Sequence, residues 1–147
     1  MDSLPAGFEA LRREARAEGY RFVERLVAEW DAGKNRFDHA GEILLALRVA
    51  DELAGIGGLT IDPVLAEALR MRRFYIRPQF RRRGLGRVLA ERLLDRALGR
   101  AVTVNAGAGS ERFWEALGFR ADPADGHSHV LVPRCERFTS APLSEQS

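Results

Sequence analysis

One short stretch constrains this chain more than any other. Arg81-Arg82-Arg83-Gly84-Leu85-Gly86-Arg87 follows an extended apolar segment and precedes a helical one. Two glycines let the backbone turn tightly and bring its N–H groups against a ligand with no Cβ in the way. A helix starting behind them adds unpaired N–H groups and a partial positive charge. Together these predict a cradle for phosphate. Gly-x-Gly also makes plain strand-to-helix turns; the four surrounding arginines are what favour an anion. They belong to a larger block, since Arg70 to Arg100 holds 11 arginines against only Glu91 and Asp95. The whole chain has a net charge of only +2, so the clustering, not the total, argues for an anionic partner.

Two common phosphate folds do not fit. A dinucleotide fingerprint wants a third glycine where Leu89 stands, and a Walker loop wants Gly-Lys-Ser/Thr. A length of 147 residues predicts one domain. No apolar run approaches the ~20 residues of a membrane span, and the first ten residues have no basic signal-peptide start. The single cysteine, Cys135, and three scattered histidines argue against a disulfide and against a metal site. The expectation is a cytoplasmic domain without metal or membrane attachment.

Periodicity orders the elements. Phe8, Leu11, Ala15, Phe22, Leu26 and Trp30 recur at mostly helical spacing, with Gly19 as a weak point or a break between two helices and a stop at Asp31-Ala32-Gly33. Trp30 and Phe22 read as core. Residues 42–49 and 53–60 read as paired strands, and Gly55, Gly57 and Gly58 invite close backbone approach or a bulge. Residues 69–76 form a third strand with a parity slip. Leu69 and Met71 are apolar at odd positions, Phe74 and Ile76 at even ones, which predicts a β-bulge near Arg72-Arg73. Leu85, Val88, Leu89, Leu93 and Ala97 give a helix face closed by Gly99. A strand over 102–105 and a glycine-rich loop follow. Ser110 then caps a short helix bearing Phe113, Trp114 and Leu117. A strand begins at Phe119, residues 122–126 turn, and 127–132 form a last strand with His127 and His129 on one face.

At this point the residues resemble a family. The run from Phe74 to Arg87 is similar to the acyl-CoA-binding motif of the GNAT superfamily of N-acyltransferases, whose core Arg/Gln-x-x-Gly-x-Gly/Ala is matched by Arg81, Gly84 and Gly86. Phe113-Trp114-Glu115-Ala116-Leu117-Gly118-Phe119 resembles that family's second segment, Phe-Tyr-Glu-x-Leu-Gly-Phe. The resemblance is clear over 42–132 and implies an α/β fold: a mixed, mostly antiparallel sheet flanked by helices, with acyl-CoA bound at a splayed strand edge. The domain would span 1–132, followed by a polar tail over 133–147. The implied cosubstrate is acetyl-CoA, held by Phe74, Tyr75, Ile76, Arg81, Arg82, Arg83, Gly84, Leu85, Gly86 and Arg87. The implied reaction is direct attack of a primary amine on the thioester. A small-molecule amine is the expected acceptor. An acyl-CoA sensor without catalysis, or an acetyltransferase acting on aminoacyl-tRNA or a protein amine, are the rival expectations, and a homodimer is left open.

The chain departs from the family where protons move. The acidic position of the third strand is occupied by Arg72 and Arg73, the tyrosine of the second segment is Trp114, and the usual asparagine corresponds to Gly107. Tyr75, His127, His129, Glu42 and Glu52 remain as candidate proton carriers, and none stands out. Arg70, Arg72 and Arg73 read either as a solvated strand face or as an attraction for an anionic substrate, or for one carrying a carboxylate beside its amine.

Overall fold

The structure is a computed structural model that describes residues 3–107, 109–124 and 126–132. The tail over 133–147, Cys135 included, lies outside the described residues. Two short helices come first, α1 (Phe8–Ala17) and α2 (Phe22–Asp31). Gly19 separates them at φ +89°, in the left-handed region where only glycine sits without strain. The Gly19 N–H donates to Arg16 O (2.9 Å) and the Tyr20 N–H to Ala15 O (3.0 Å), the paired bonds of a Schellman stop.

Three antiparallel strands follow: β1 (Ile43–Val49), β2 (Glu52–Ile61) and β3 (Leu69–Ile76). β1 and β2 are joined by Ala50 and Asp51, both at positive φ, a two-residue hairpin turn whose twist matches the strands. A 3₁₀ turn (Pro78–Phe80) leads to α3 (Leu85–Asp95), then β4 (Val102–Val104), α4 (Glu111–Ala116), β5 (Arg120–Ala124) and β6 (His127–Leu131). The sheet order is β1-β2-β3-β4-β6-β5, with the β3–β4 pair parallel and the others antiparallel. Among the described residues, no helix is long and apolar enough to cross a membrane.

Each sheet face carries its own core. Leu11, Val23, Leu26 and Trp30 of the first two helices pack with Leu44, Leu53, Ile56 and Tyr75. Leu89, Ala90 and Leu93 of α3, with Trp114 and Phe119, pack with Leu59, Leu69 and Met71 on the other. The parity slip in β3 is a bulge. Gly58 faces Arg72 and Ile56 faces Tyr75, so Arg73 and Phe74 together stand opposite Gly57, and Arg73 takes φ +55°. Phe74 and Ile76 thereby join Leu69 and Met71 in the α3 cluster. A Cβ at Gly57 would come within 2.9 Å of the Phe74 ring, and one at Gly58 within 2.5 Å of Phe37.

Some expectations need correction. Val88 is exposed, because the inward face of α3 is Leu89, Ala90 and Leu93. Ser110 does not cap α4 with its side chain; its hydroxyl donates to Gly107 O at 2.7 Å instead. Asp122 lies in β5 rather than in a turn, with Ala121 paired to His129 and Ala124 to His127.

β3 and β4 pair only at Leu69–Val102 and Arg70–Thr103, then diverge. Asp62 clamps the closed end of this splay. One carboxylate oxygen accepts the N–H groups of Val64 (2.8 Å) and Leu65 (2.9 Å). The other accepts the Thr103 hydroxyl (2.6 Å) and meets the Arg70 guanidinium (3.2 Å). Burial works to raise the Asp62 pKa, but the Leu65 N–H, the Thr103 hydroxyl, the Val64 N–H and Arg70 outweigh it and hold the carboxyl below its ordinary range.

Candidate functional site

The loop after β3 ends in a bare helix start. Gly84 is the N-cap residue of α3 at φ +75°, and no side chain caps the helix. The first bond across the turn is Val88 N–H to Gly84 O, so the N–H groups of Leu85, Gly86 and Arg87 precede any intrahelical partner. Leu85, Gly86 and Arg87 line a cavity of about 580 Å³ together with Gly109, Ser110, Phe113 and Trp114. Of the ten residues expected to hold acyl-CoA, Phe74, Ile76, Arg81, Arg82, Gly84, Leu85, Gly86 and Arg87 line it; Tyr75 and Arg83 do not.

The arginines of the loop have different partners. Arg81 donates to Ile76 O (2.9 Å) and, through both terminal nitrogens, to Glu18 at the end of α1 (2.9 and 2.7 Å). Its guanidinium also lies 5.4 Å from the centroid of the Tyr75 ring. The Glu18 bonds raise its pKa despite partial burial. Arg77 is buried against Glu14 (2.8 and 2.9 Å) and Leu53 O (2.8 Å), and Arg87 pairs with Glu91 (3.1 Å). Arg83 covers the Phe80 ring. Arg82, at φ +64°, is exposed, lines the cavity and has no ion pair among the described residues.

A second cavity, about 360 Å³, occupies the splay itself. Arg70, Arg72 and Arg73 of β3 face Asn105 and Gly107 beyond β4, and Phe22 and Arg25 of α2 form a further wall. Tyr20, Phe74 and Trp114 line both cavities, so the two meet there. Trp114 is buried in a ring cluster, 5.0 Å from Phe74, 4.8 Å from Phe113 and 5.5 Å from Phe119 between centroids. Phe22, read as core, is half-buried and also forms cavity wall. Among the described residues, the β4-facing edge of β3 beyond Arg70 has no strand partner, an edge that an extended ligand can join.

The candidate proton carriers stand elsewhere. His127 and His129 share a buried face of β6 as expected, but that face lines neither cavity. His127 Nε2 lies 3.0 Å from Asp122, and His129 bridges Glu115 (3.0 Å) and Ser128 (2.8 Å). The Tyr75 hydroxyl donates to Glu18 at 2.5 Å, and burial together with that bond pushes its pKa up. Glu42 accepts the backbone N–H groups of His39 and Ile61, and Glu52 opens β2 at the hairpin. Tyr20 and Arg25 carried no signal as cavity residues, because nothing local tells which side of a short helix meets a distant strand. Among the described residues no group of three or more His, Cys, Asp or Glu could hold a metal.

A search among curated proteins found no similar sequence. Solved structures share the fold. A candidate acetyltransferase from Exiguobacterium sp. 255-15 superimposes with a TM-score of 0.76 at 22% identity, over 90% of this chain and 88% of that one. The Escherichia coli GNAT family N-acetyltransferase YhbS, in complex with CoA, gives 0.64 at 16% identity, over 88% and 77%. The Bacillus subtilis N-acetyltransferase YlbP, in complex with coenzyme A, gives 0.56 at 16%, over 76% and 82%. At these identities the likeness is one of fold. The sequence model of the acetyltransferase (GNAT) domain matches residues 11–130, and on that match, over most of its length, the chain belongs to the GNAT acetyltransferase family.

Proposed function

We propose that this chain is an N-acetyltransferase that takes acetyl-CoA in the larger cavity and a primary amine in the smaller one. The carrying observation is their junction at Phe74 and Trp114, beside the edge of β3 that no strand joins among the described residues. The N–H groups at the start of α3 take the pyrophosphate, with Arg82 adding charge at the rim. The open β3 edge pairs with the pantetheine arm, and a backbone N–H freed near the bulge polarises the thioester carbonyl. Acetyl-CoA, when bound, supplies an acyl group already activated as a thioester. The amine nitrogen bonds to the carbonyl carbon as the carbon–sulfur bond breaks, the sulfur leaves as thiolate, and the nitrogen's proton passes to water.

No carboxylate or histidine lines the amine cavity among the described residues. Its guanidiniums act in their place, because positive charges beside an ammonium disfavour the charged form and lower its pKa, which supplies the neutral nucleophile. Trp114 serves as a wall at the junction rather than as an acid, since an indole N–H does not protonate a thiolate. Proximity and orientation carry the rate.

Calorimetry with acetyl-CoA and thiol release in the presence of a primary-amine panel test this reading. Binding accompanied by amine-dependent CoA release is expected. Binding with no release under any amine would make the chain a silent acyl-CoA module, and no binding would reject the reading outright. Release only with charged tRNA, suppressed by salt, would favour the nucleic-acid alternative.

A further inference from the structure

Among the described residues, the amine cavity is lined by more guanidiniums than there are carboxylates paired with them. Arg25, Arg70, Arg72 and Arg73 line it. Arg70 is paired with Asp62 at 3.2 Å and Arg73 with Glu29 at 2.8 Å. Arg72 makes no hydrogen bond or ion pair among the described residues, and its Nε is sealed from solvent with no acceptor. Arg25, exposed on α2, is likewise without a carboxylate partner among them.

This arrangement follows from the bulge. In a regular strand Arg72 and Arg73 would point to opposite faces. Here Arg73 takes a left-handed conformation, and both residues line the same cavity. Burial, and then the like charges of Arg73 and Arg70, depress the Arg72 pKa. A half-buried guanidinium beside two others, its Nε sealed without an acceptor, is costly to keep, and a ligand anion offsets part of that cost.

We infer that the acceptor is a small amine that carries a carboxylate, and that Arg72, with Arg25 at the rim, is the group that holds it. The inference rests on the proposed acetyl transfer and names its substrate class. A planar guanidinium and a carboxylate match as a two-bond fork, which an ammonium does not reproduce. A volume of about 360 Å³ suits a single small molecule, and Tyr20, Phe22, Phe74 and Trp114 give its uncharged part apolar walls.

The test is calorimetry on protein saturated with CoA, using the twenty common α-amino acids and their C-terminal amides, with O-phosphoethanolamine and ethanolamine as a phosphate pair. At least one amino acid should bind tenfold or more tightly than its amide. Arg72→Met should abolish that preference while changing the amide's affinity less than threefold, and Arg72→Lys should restore part of it. Arg25→Met should reduce the preference without abolishing it. The inference is overturned if no acid outbinds its amide, if Arg72→Met keeps the preference, or if the phosphate pair discriminates more strongly than every acid–amide pair. CoA affinity in the same proteins separates the two levels. Its loss from the unaltered chain would reject acetyl transfer itself, whereas intact CoA binding with no carboxylate preference rejects only the acceptor class.

Discussion

Gly84 and Gly86 sit two residues apart, yet replacing them should have opposite consequences. At Gly84 the constraint is conformational. Its φ is +75° and an added Cβ meets nothing within 4 Å. An L-residue in this region costs about 1–2 kcal/mol, so Gly84→Ala should lower stability by about 1 kcal/mol. At Gly86 the backbone is helical and the constraint is space. A Cβ there would lie 3.3 Å from Phe113 Cε1 and 3.6 Å from Ile76 Cγ1, so the Phe113 ring must yield slightly. Alanine in place of a helical glycine returns up to about 1 kcal/mol, and Gly86→Ala should leave stability within about 1 kcal/mol of the parent. Ligand binding should run the other way. The methyl groups of Gly86→Val enter the cavity between Phe113 and the first-turn N–H groups. Losing one charge-assisted N–H to phosphate bond costs about 1.5–3 kcal/mol, a rise in CoA Kd of roughly 10- to 150-fold. Calorimetry reads the affinity and urea unfolding the stability. Unchanged CoA affinity in a folded Gly86→Val protein would refute the phosphate cradle, and a Gly86→Ala protein less stable than Gly84→Ala would refute the division between the two glycines.

Other outcomes follow from the charges. Asp62→Ala leaves two N–H groups and a buried hydroxyl without their acceptor and takes from Arg70 the carboxylate it pairs with, and should cost about 3 kcal/mol in urea unfolding; a loss below about 1 kcal/mol would contradict the clamp at the closed end of the splay. Glu24 is held at about 2 by its hydrogen bonds to Arg12 and Arg16, and Arg77 and Arg81 likewise lower Glu14 and Glu18. Depressed carboxylates stabilise the fold above the ordinary range near ~4.3 and lose that contribution as pH falls toward 2. The urea midpoint should therefore drop between pH 5 and 3, and drop less in Glu24→Gln; identical pH profiles would count against the Glu24 pair. In a Tyr20→Phe protein, leaving Tyr75 alone, phenolate absorbance should appear only above the usual ~10, and Glu18→Gln should bring it down. A midpoint at or below 10 would contradict the buried bond to Glu18.

Much of this molecule could be read without coordinates, and the readable parts share a cause. Helical spacing on either side of Gly19 and the parity of apolar residues in β3 are each set within a few residues. The bulge is the clearest case. A strand cannot move its apolar side chains to the other parity without an extra residue, so Leu69, Met71, Phe74 and Ile76 announce it by spacing alone. The phosphate loop is likewise local, because a glycine turn and the helix start behind it supply the donors themselves.

The tertiary structure decided which charges are paired and which are left over. Four arginines of the loop look alike in the sequence, but Arg81 is bound to Glu18 across 63 positions while Arg82 faces the cavity. Arg73 meets Glu29 across 44 positions, and Arg72 beside it meets no carboxylate among the described residues. His127 and His129 kept their common face but turned it toward Asp122 and Glu115, away from both cavities. Composition and periodicity report which side of an element is buried. They do not report what it is buried against, because that depends on helices and strands brought together from distant parts of the chain.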